Sequence, residues 1–490
     1  MRLTRRAILG GMLGSAATQA WAEAPTASRR PPPRGQGTPP PVVTAADDLV
    51  RRAGLGGETS FAVADARTGQ ILEARQPLLP QPPASTAKAL TALYALDALG
   101  SDHRFATRLI ATGPLVGGRL EGDLILAGGG DPVLDSDALG DMAARLKDLG
   151  LREIAGQFKV WGGALPELRQ IDPEQPPHVS YNPALSGLNL NFNRVRFGWK
   201  RQGSDYAVTM EARARRFTPG VTVARMEVAD RGTPIYTYAE RAGRDEWSVA
   251  RRALGAEGAR WLPVRRPAVY CGEAFRTLAR AQGIVLGNEG DEIAVADTLA
   301  GDPIIEHLSP RLDEIVADML DYSTNPTAEL IGLSASVARG GAVGTLKESA
   351  GRMDAWLADT YGAGSAALED HSGLGDDSRI AAADMVRILA RTGPDSELRG
   401  LMKPYRTNDG ATMSVAAKTG TLNFVSALVG YVTVPDRTEL VFAIYSADTD
   451  RRDALPMEMR ERPPGGRNWA GAARGLQRAL IGRWGQVYGA

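Results

Sequence analysis

Apolar positions recur in two rhythms along the 490-residue chain, and each change of rhythm marks a change of predicted element. Phe61 to Arg75 holds two short apolar runs around Arg67-Thr68-Gly69, which predicts a β-hairpin with glycine in its turn. Thr86 to Leu99 is built instead of strong helix formers, with Gly100 at the C′ position. A buried helix is expected there, with Ser85 at its N-terminus. From about 113 to 296 the texture shifts to short strands and turns, including a strand over 122–128, helices over 136–149 and 270–282, and a strand over 157–161. The last third returns to long elements, with helices over 308–320, 327–337 and 381–391, strands over 413–420, 427–434 and 439–445, and a closing helix over 469–484. An antiparallel sheet fed from both chain ends, with helices in between, is the economical α+β arrangement.

Composition narrows the field. Lys+Arg and Asp+Glu are both 57, so no net field would draw nucleic acid onto the whole surface. Cys271 stands alone, and His103, His178, His307 and His371 are scattered, which excludes a disulfide scaffold and a structural zinc site; no metal or organic cofactor is expected. Residues 1–22 have a charged start, the short apolar stretch Ala7 to Leu13 and an Ala20-Trp21-Ala22 cleavage pattern, as in an export signal peptide. Within it, Thr4-Arg5-Arg6-Ala7-Ile8-Leu9 is similar to a twin-arginine signal, so a periplasmic location is expected. Residues 23–45 read as a Pro-rich linker. No stretch is apolar for long enough to serve as a transmembrane anchor.

Candidate chemistry begins with the scarcity of lysine. Of seven lysines, only Lys88 has a serine three residues before it, and Ser85-Thr86-Ala87-Lys88 puts a hydroxyl and an amine on one helix face. A serine nucleophile needs a base, and burial with a second cation nearby lets a lysine serve. A second triplet, Ser323-Thr324-Asn325, sits at the corner between two predicted helices, where a helix cap would also explain it. A rival, Ser180-Tyr181-Asn182, is set aside because it lies among prolines in the middle segment. The third, Lys418-Thr419-Gly420-Thr421, ends a strand, where a cation and two hydroxyls can receive a carboxylate and glycine admits a close backbone.

S-x-x-K, S-x-N and K-T-G in that order form the signature of serine penicillin-interacting enzymes. With Gly128-Gly129-Gly130-Asp131-Pro132, Ala328-Glu329, His371-Ser372-Gly373-Leu374 and about 234 residues between Lys88 and Ser323, the chain resembles the low-molecular-mass class C penicillin-binding proteins, the D-alanyl-D-alanine carboxypeptidase/endopeptidase family. The resemblance implies a penicillin-binding/β-lactamase-like transpeptidase domain over 46–112 and 297–490, interrupted by a large α+β insert over 113–296. It implies Ser85 as nucleophile, Lys88 as base, Ser323 as proton shuttle and Asn325 as a positioning group. Lys418, Thr419, Gly420 and Thr421 would bind the substrate carboxylate, with backbone N–H groups of Ser85 and Thr421 as the oxyanion hole. Peptidoglycan stem peptides are the implied substrates and β-lactams the implied inhibitors; a homodimer is left open. Two departures are Thr324, where an acidic residue is common, and His371 before Ser-Gly-Leu, which bear on leaving-group selectivity. A serine β-lactamase and a catalytically silent cell-wall-binding protein on the same scaffold are the alternatives.

Overall fold

Five antiparallel strands drawn from both ends of the chain form the main sheet of the computed structural model, which describes residues 43–287, 292–407 and 413–489. Their order is Ser414–Leu422, Val425–Thr433, Glu439–Ala447, Glu58–Asp65 and Ile71–Arg75, with Phe61 opposite Ile444 and Lys418 opposite Val429. The export signal expected over 1–22, and all but the last three residues of the linker expected over 23–45, lie outside the described residues.

The central strands are buried on both faces, as the period-two pleat makes visible. Ala427, Val429 and Tyr431 join a core with the helices Ala87–Leu99, Leu312–Tyr322, Asn325–Gly340, Leu346–Tyr361 and Ala382–Thr392. Leu428 and Val432 face the other way, onto Leu476, Leu480 and Trp484 of the closing helix Gly466–Tyr488. Trp484 is tilted against both Phe61 and Phe442, with ring centroids 6.0 and 5.9 Å away. Truncating a side chain so placed costs about 3–5 kcal/mol.

Two helices differ from expectation. The helix expected from 308 begins at Leu312, because Asp302–Leu308 is a strand paired with Ala106–Ala111. Pro310 disfavours helical backbone at Ser309, whose N–H instead donates to Phe105 O at 2.9 Å. Leu346–Tyr361 was not expected, yet Thr345 caps it by accepting from the Glu348 N–H, and Gly362 closes it at φ +67°.

The middle segment has its own sheet, ordered Ala294–Val295, Phe158–Trp161, Leu124–Gly128, Ala106–Ala111 and Asp302–Leu308. Helices Ser136–Asp148 and Pro267–Ala281 pack on it, with Cys271 buried among them. Two three-stranded sheets follow between residues 194 and 263. The adjacent antiparallel strands Ala106–Ala111 and Asp302–Leu308 carry the chain out of the helical layer and back at neighbouring positions, so Ser85 and Ser323 can meet.

Candidate active site

Ser85 lies in a tight turn, Ala84–Thr86, that leads directly into the helix Ala87–Leu99. Ala84 is fully buried and held at φ +46°, a left-handed conformation that costs an alanine about 1–2 kcal/mol. Two glycines pinch this turn. A Cβ on Gly420 would stand 2.7 Å from Pro83 O, and one on Gly373 would stand 1.9 Å from Ala84 O. The K-T-G strand and the loop after His371 can therefore approach the serine only because both positions lack side chains.

Lys88 is fully buried one turn further on. Its Nζ donates to Ser85 Oγ at 3.0 Å, Asn325 Oδ1 at 2.8 Å and Ser372 O at 2.8 Å. Asn325 is oriented by its other end, since its Nδ2 donates to Tyr181 O at 3.1 Å. Two of the three partners of Lys88 can only accept, whereas Ser85 carries a hydrogen of its own. When the ammonium loses a proton, its lone pair is best satisfied by the Ser85 hydroxyl.

Burial lowers the pKa of Lys88, opposed by the buried carboxylates of Glu329 and Asp370. Both acids shape the loop that carries Ser372. Glu329 accepts from the N–H groups of His371 and Ser372 at 2.9 Å each, and Asp370 accepts from Ser372, Gly373 and Gly375 at 3.0, 2.6 and 2.6 Å. Burial raises the pKa of each acid. Glu329 was visible beside the second motif, but Asp370 had no signal in the sequence that set it apart from a surface carboxylate.

Ser323 caps the helix Leu312–Tyr322 at φ +58°, and Asn325 opens the next helix, so the corner brings both side chains to the cleft over Ser85. Lys418 Nζ donates to Ser323 Oγ and to Thr419 O, each at 2.9 Å. Its pKa is pushed down to about 7, first by burial and then by the cations Lys88 and Lys403. Lys88 and Lys418 are thus two buried cations close enough to interact, and each disfavours the charge on the other. Thr419 and Thr421 are exposed on the edge strand, and Gly420 is buried against the serine turn.

The two departures from the motif pattern are accounted for differently. His371 turns into the helical core, where its Nε2 lies 2.7 Å from Ser349 Oγ and its ring stacks on Tyr94. Gly332 makes room for it, since a Cβ there would fall 2.2 Å from the imidazole. Burial pushes its pKa down to about 3, so the ring is neutral. Thr324 is the N-cap residue of Asn325–Gly340 and makes no side-chain capping bond.

A cleft of about 1050 Å³ opens over Ser85, Ser323, Asn325 and Thr421. Tyr181 also lines it, from the triplet that was set aside, while Asn182 is buried away from it and accepts from the N–H groups of Ile171 and Asp172 at 2.9 Å. Gln175 completes the contribution of the middle segment. A further wall comes from the segment before the closing helix and the first turns of that helix, which the motifs did not single out. Among the described residues no three His, Cys, Asp or Glu side chains are placed to hold a metal ion, and no helix is long and apolar enough to cross a membrane.

A serine at the head of a helix with a buried lysine beside it, a corner serine and asparagine, and a K-T-G edge strand define a penicillin-interacting serine enzyme. Residues 43–461 match the model of the D-Ala-D-Ala carboxypeptidase 3 (S13) family, and the chain belongs to that family as a serine-type D-Ala-D-Ala carboxypeptidase. A D-alanyl-D-alanine carboxypeptidase of Actinomadura sp. (strain R39) is 27% identical over 493 residues, covering 86% of this chain and 85% of that protein. The D-alanyl-D-alanine carboxypeptidase DacB of Haemophilus influenzae is 24% identical over 418 residues, covering 79% and 84%. The crystal structure of penicillin binding protein 4 from Haemophilus influenzae has the same fold, with a TM-score of 0.70 at 19% identity over 88% of this chain and 99% of that one.

Proposed function

We propose that this enzyme trims or cleaves peptidoglycan stem peptides after export to the periplasm, using Ser85 to form an acyl-enzyme. The observation that carries the assignment is the contact set of Lys88, in which the Ser85 hydroxyl is the one partner able to donate to the neutral amine. In acylation the Ser85 proton passes to Lys88 Nζ while Oγ bonds to the carbonyl carbon of the penultimate D-Ala. The N–H groups of Ser85 and Thr421 receive the oxyanion, a contribution of about 3–4 kcal/mol to the barrier in comparable sites. Ser323 Oγ accepts from Lys418, so as the C–N bond breaks it passes its own proton to the leaving amine, takes one from the Lys418 ammonium, and D-alanine departs. Lys418, Thr419 and Thr421 take the terminal carboxylate, with Gly420 keeping the strand close to the turn. Water then attacks the ester carbonyl, its proton restoring Lys418 through Ser323, and the proton held on Lys88 returns to Ser85 Oγ as the acyl bond breaks and the shortened peptide leaves.

A β-lactam offers the same carboxylate and a strained amide, so it acylates Ser85 in place of substrate. The penicillin binding protein 4 of Haemophilus influenzae, alike in fold, has been seen complexed with a β-lactam. We read the inserted segment as running from the strand Ala106–Ala111 to the strand Asp302–Leu308, a wider span than 113–296. The test is D-alanine release from a pentapeptide, alongside labelling by fluorescent penicillin. Wild type should do both, and Ser85→Ala should do neither while keeping its unfolding midpoint; undiminished labelling of Ser85→Ala would place the nucleophile elsewhere.

A further inference from the structure

One wall of the cleft is strongly cationic. It comes from the segment between the strand Glu439–Ala447 and the closing helix and from the first turns of that helix, and among the described residues it brings five arginines but only one carboxylate, Glu461, to the cavity. Two of the five are internally neutralised. Arg452 pairs with Asp376, and Arg460 pairs with Asp376 and Glu174 at 3.4 and 3.0 Å. Glu461 is engaged as well, accepting from Arg260 at 2.9 Å and lying 2.8 Å from His178 Nε2. These pairs fasten the segment to the insert and to the loop beyond Gly373.

Arg462, Arg467 and Arg474 remain. All three are exposed, all three line the same cavity as Ser85, and their guanidinium groups form no hydrogen bond or ion pair among the described residues. Three like charges around one cavity repel each other, and a walled cleft focuses their field on whatever enters. A guanidinium matches a carboxylate in planar, two-pronged geometry.

The direction of the bound peptide follows from the reading of Lys418 given above, on which this inference rests. If the terminal carboxylate lies at Lys418, the part of the peptide before the scissile bond runs along Thr421, Leu422, Asn423 and Phe424, which line the cleft up to the arginines. We propose that Arg462, Arg467 and Arg474 form a carboxylate subsite that selects stem peptides bearing acidic groups on the acyl side of the scissile bond.

The test compares two peptides on the full-length enzyme: N-acetyl-L-Ala-γ-D-Glu-(Nε-acetyl)-L-Lys-D-Ala-D-Ala with its free D-Glu α-carboxylate, and the same peptide with that carboxylate amidated. Fluorescent penicillin counts the active sites in each preparation. Wild type should show kcat/KM for the acidic peptide higher by roughly tenfold or more, carried in KM and reduced at about 0.5 M salt. The triple variant R462Q/R467Q/R474Q should bring the ratio to within about twofold of one, and the corresponding triple lysine variant should restore part of it. A wild-type ratio near one, or a wild-type ratio in the glutamine variant, overturns the subsite alone. Failure of wild type to release D-alanine from either peptide overturns the proposed function, and the subsite with it.

Discussion

Gly373→Ala should disable the serine without touching any group that takes part in the chemistry. The added Cβ would lie 1.9 Å from Ala84 O and 2.5 Å from Ala84 C, both backbone atoms of the turn that carries Ser85. Ordinary carbon contacts need about 3.5 Å, so either the turn or the loop must retreat by more than about 1 Å. Movement of the loop would carry Ser372 O away from Lys88, and movement of the turn would carry Ser85 Oγ away from it. A displacement of ~1 Å at a reacting group costs on the order of a hundredfold in rate. The strain of alanine at φ +74° adds about 1–2 kcal/mol of destabilisation. Gly150→Ala separates the two effects: it has φ +91° but nothing within 4 Å of the new Cβ. The second-order rate of acylation by fluorescent penicillin, measured with the unfolding midpoint, should fall about a hundredfold for Gly373→Ala and stay at the wild-type value for Gly150→Ala. An acylation rate within about threefold of wild type for Gly373→Ala would refute the claim that this contact positions the nucleophile.

Two further outcomes follow from the buried lysines. Asn325→Ala removes an acceptor from the Lys88 ammonium, a charge-assisted bond worth about 1.5–3 kcal/mol, or about one to two pH units. Because the charged form loses more than the neutral one, the ascending limb of acylation against pH should move down; an unmoved limb would count against Asn325 as a partner of the ammonium. Lys418 is protonated when unfolded and titrates near 7 when folded, so the unfolded state binds more protons between about pH 7 and 10 and stability should rise with pH there. Lys418→Met should flatten that rise and stabilise the protein at pH 7 by about 1–3 kcal/mol in denaturant titrations, while abolishing turnover. Unchanged pH dependence of stability would show that Lys418 is not the group responsible.

Much of the catalytic layer was legible because its rules are local. Short apolar runs marked the strands around Val429 and Ile444, helix formers ending at Gly100 marked the motif helix, and the three motifs could be read from residue type and spacing. The helix Leu346–Tyr361 carried a readable cap, Thr345 with Glu348, which the apolar pattern did not bring out. What stayed hidden depended on partners distant in sequence. Asp370 reads as a surface acid until the loop N–H groups close around it. Tyr181 reads as part of a Pro-rich stretch until its carbonyl meets Asn325. Arg452 and Arg460 look like solvated cations until Asp376 and Glu174 are brought to them. Neither periodicity nor propensity reports such encounters, since both describe a residue by its near neighbours alone.

The pairing of Glu58–Asp65 with Glu439–Ala447 sets the order of events during synthesis. The turn that holds Ser85 rests on Gly420 of a strand that joins the same sheet, and that strand is made only after the whole insert has been translated. Until then the nucleophile, its lysine and the corner serine belong to an unclosed chain. The sheet of the middle segment is complete by Leu308, and the pairing of Ala106–Ala111 with Asp302–Leu308 brings the flanking chain back to neighbouring positions, which shortens the loop that the last strands must close. Closure of the main sheet, and with it assembly of the site around Ser85, is thereby deferred to the end of the polypeptide.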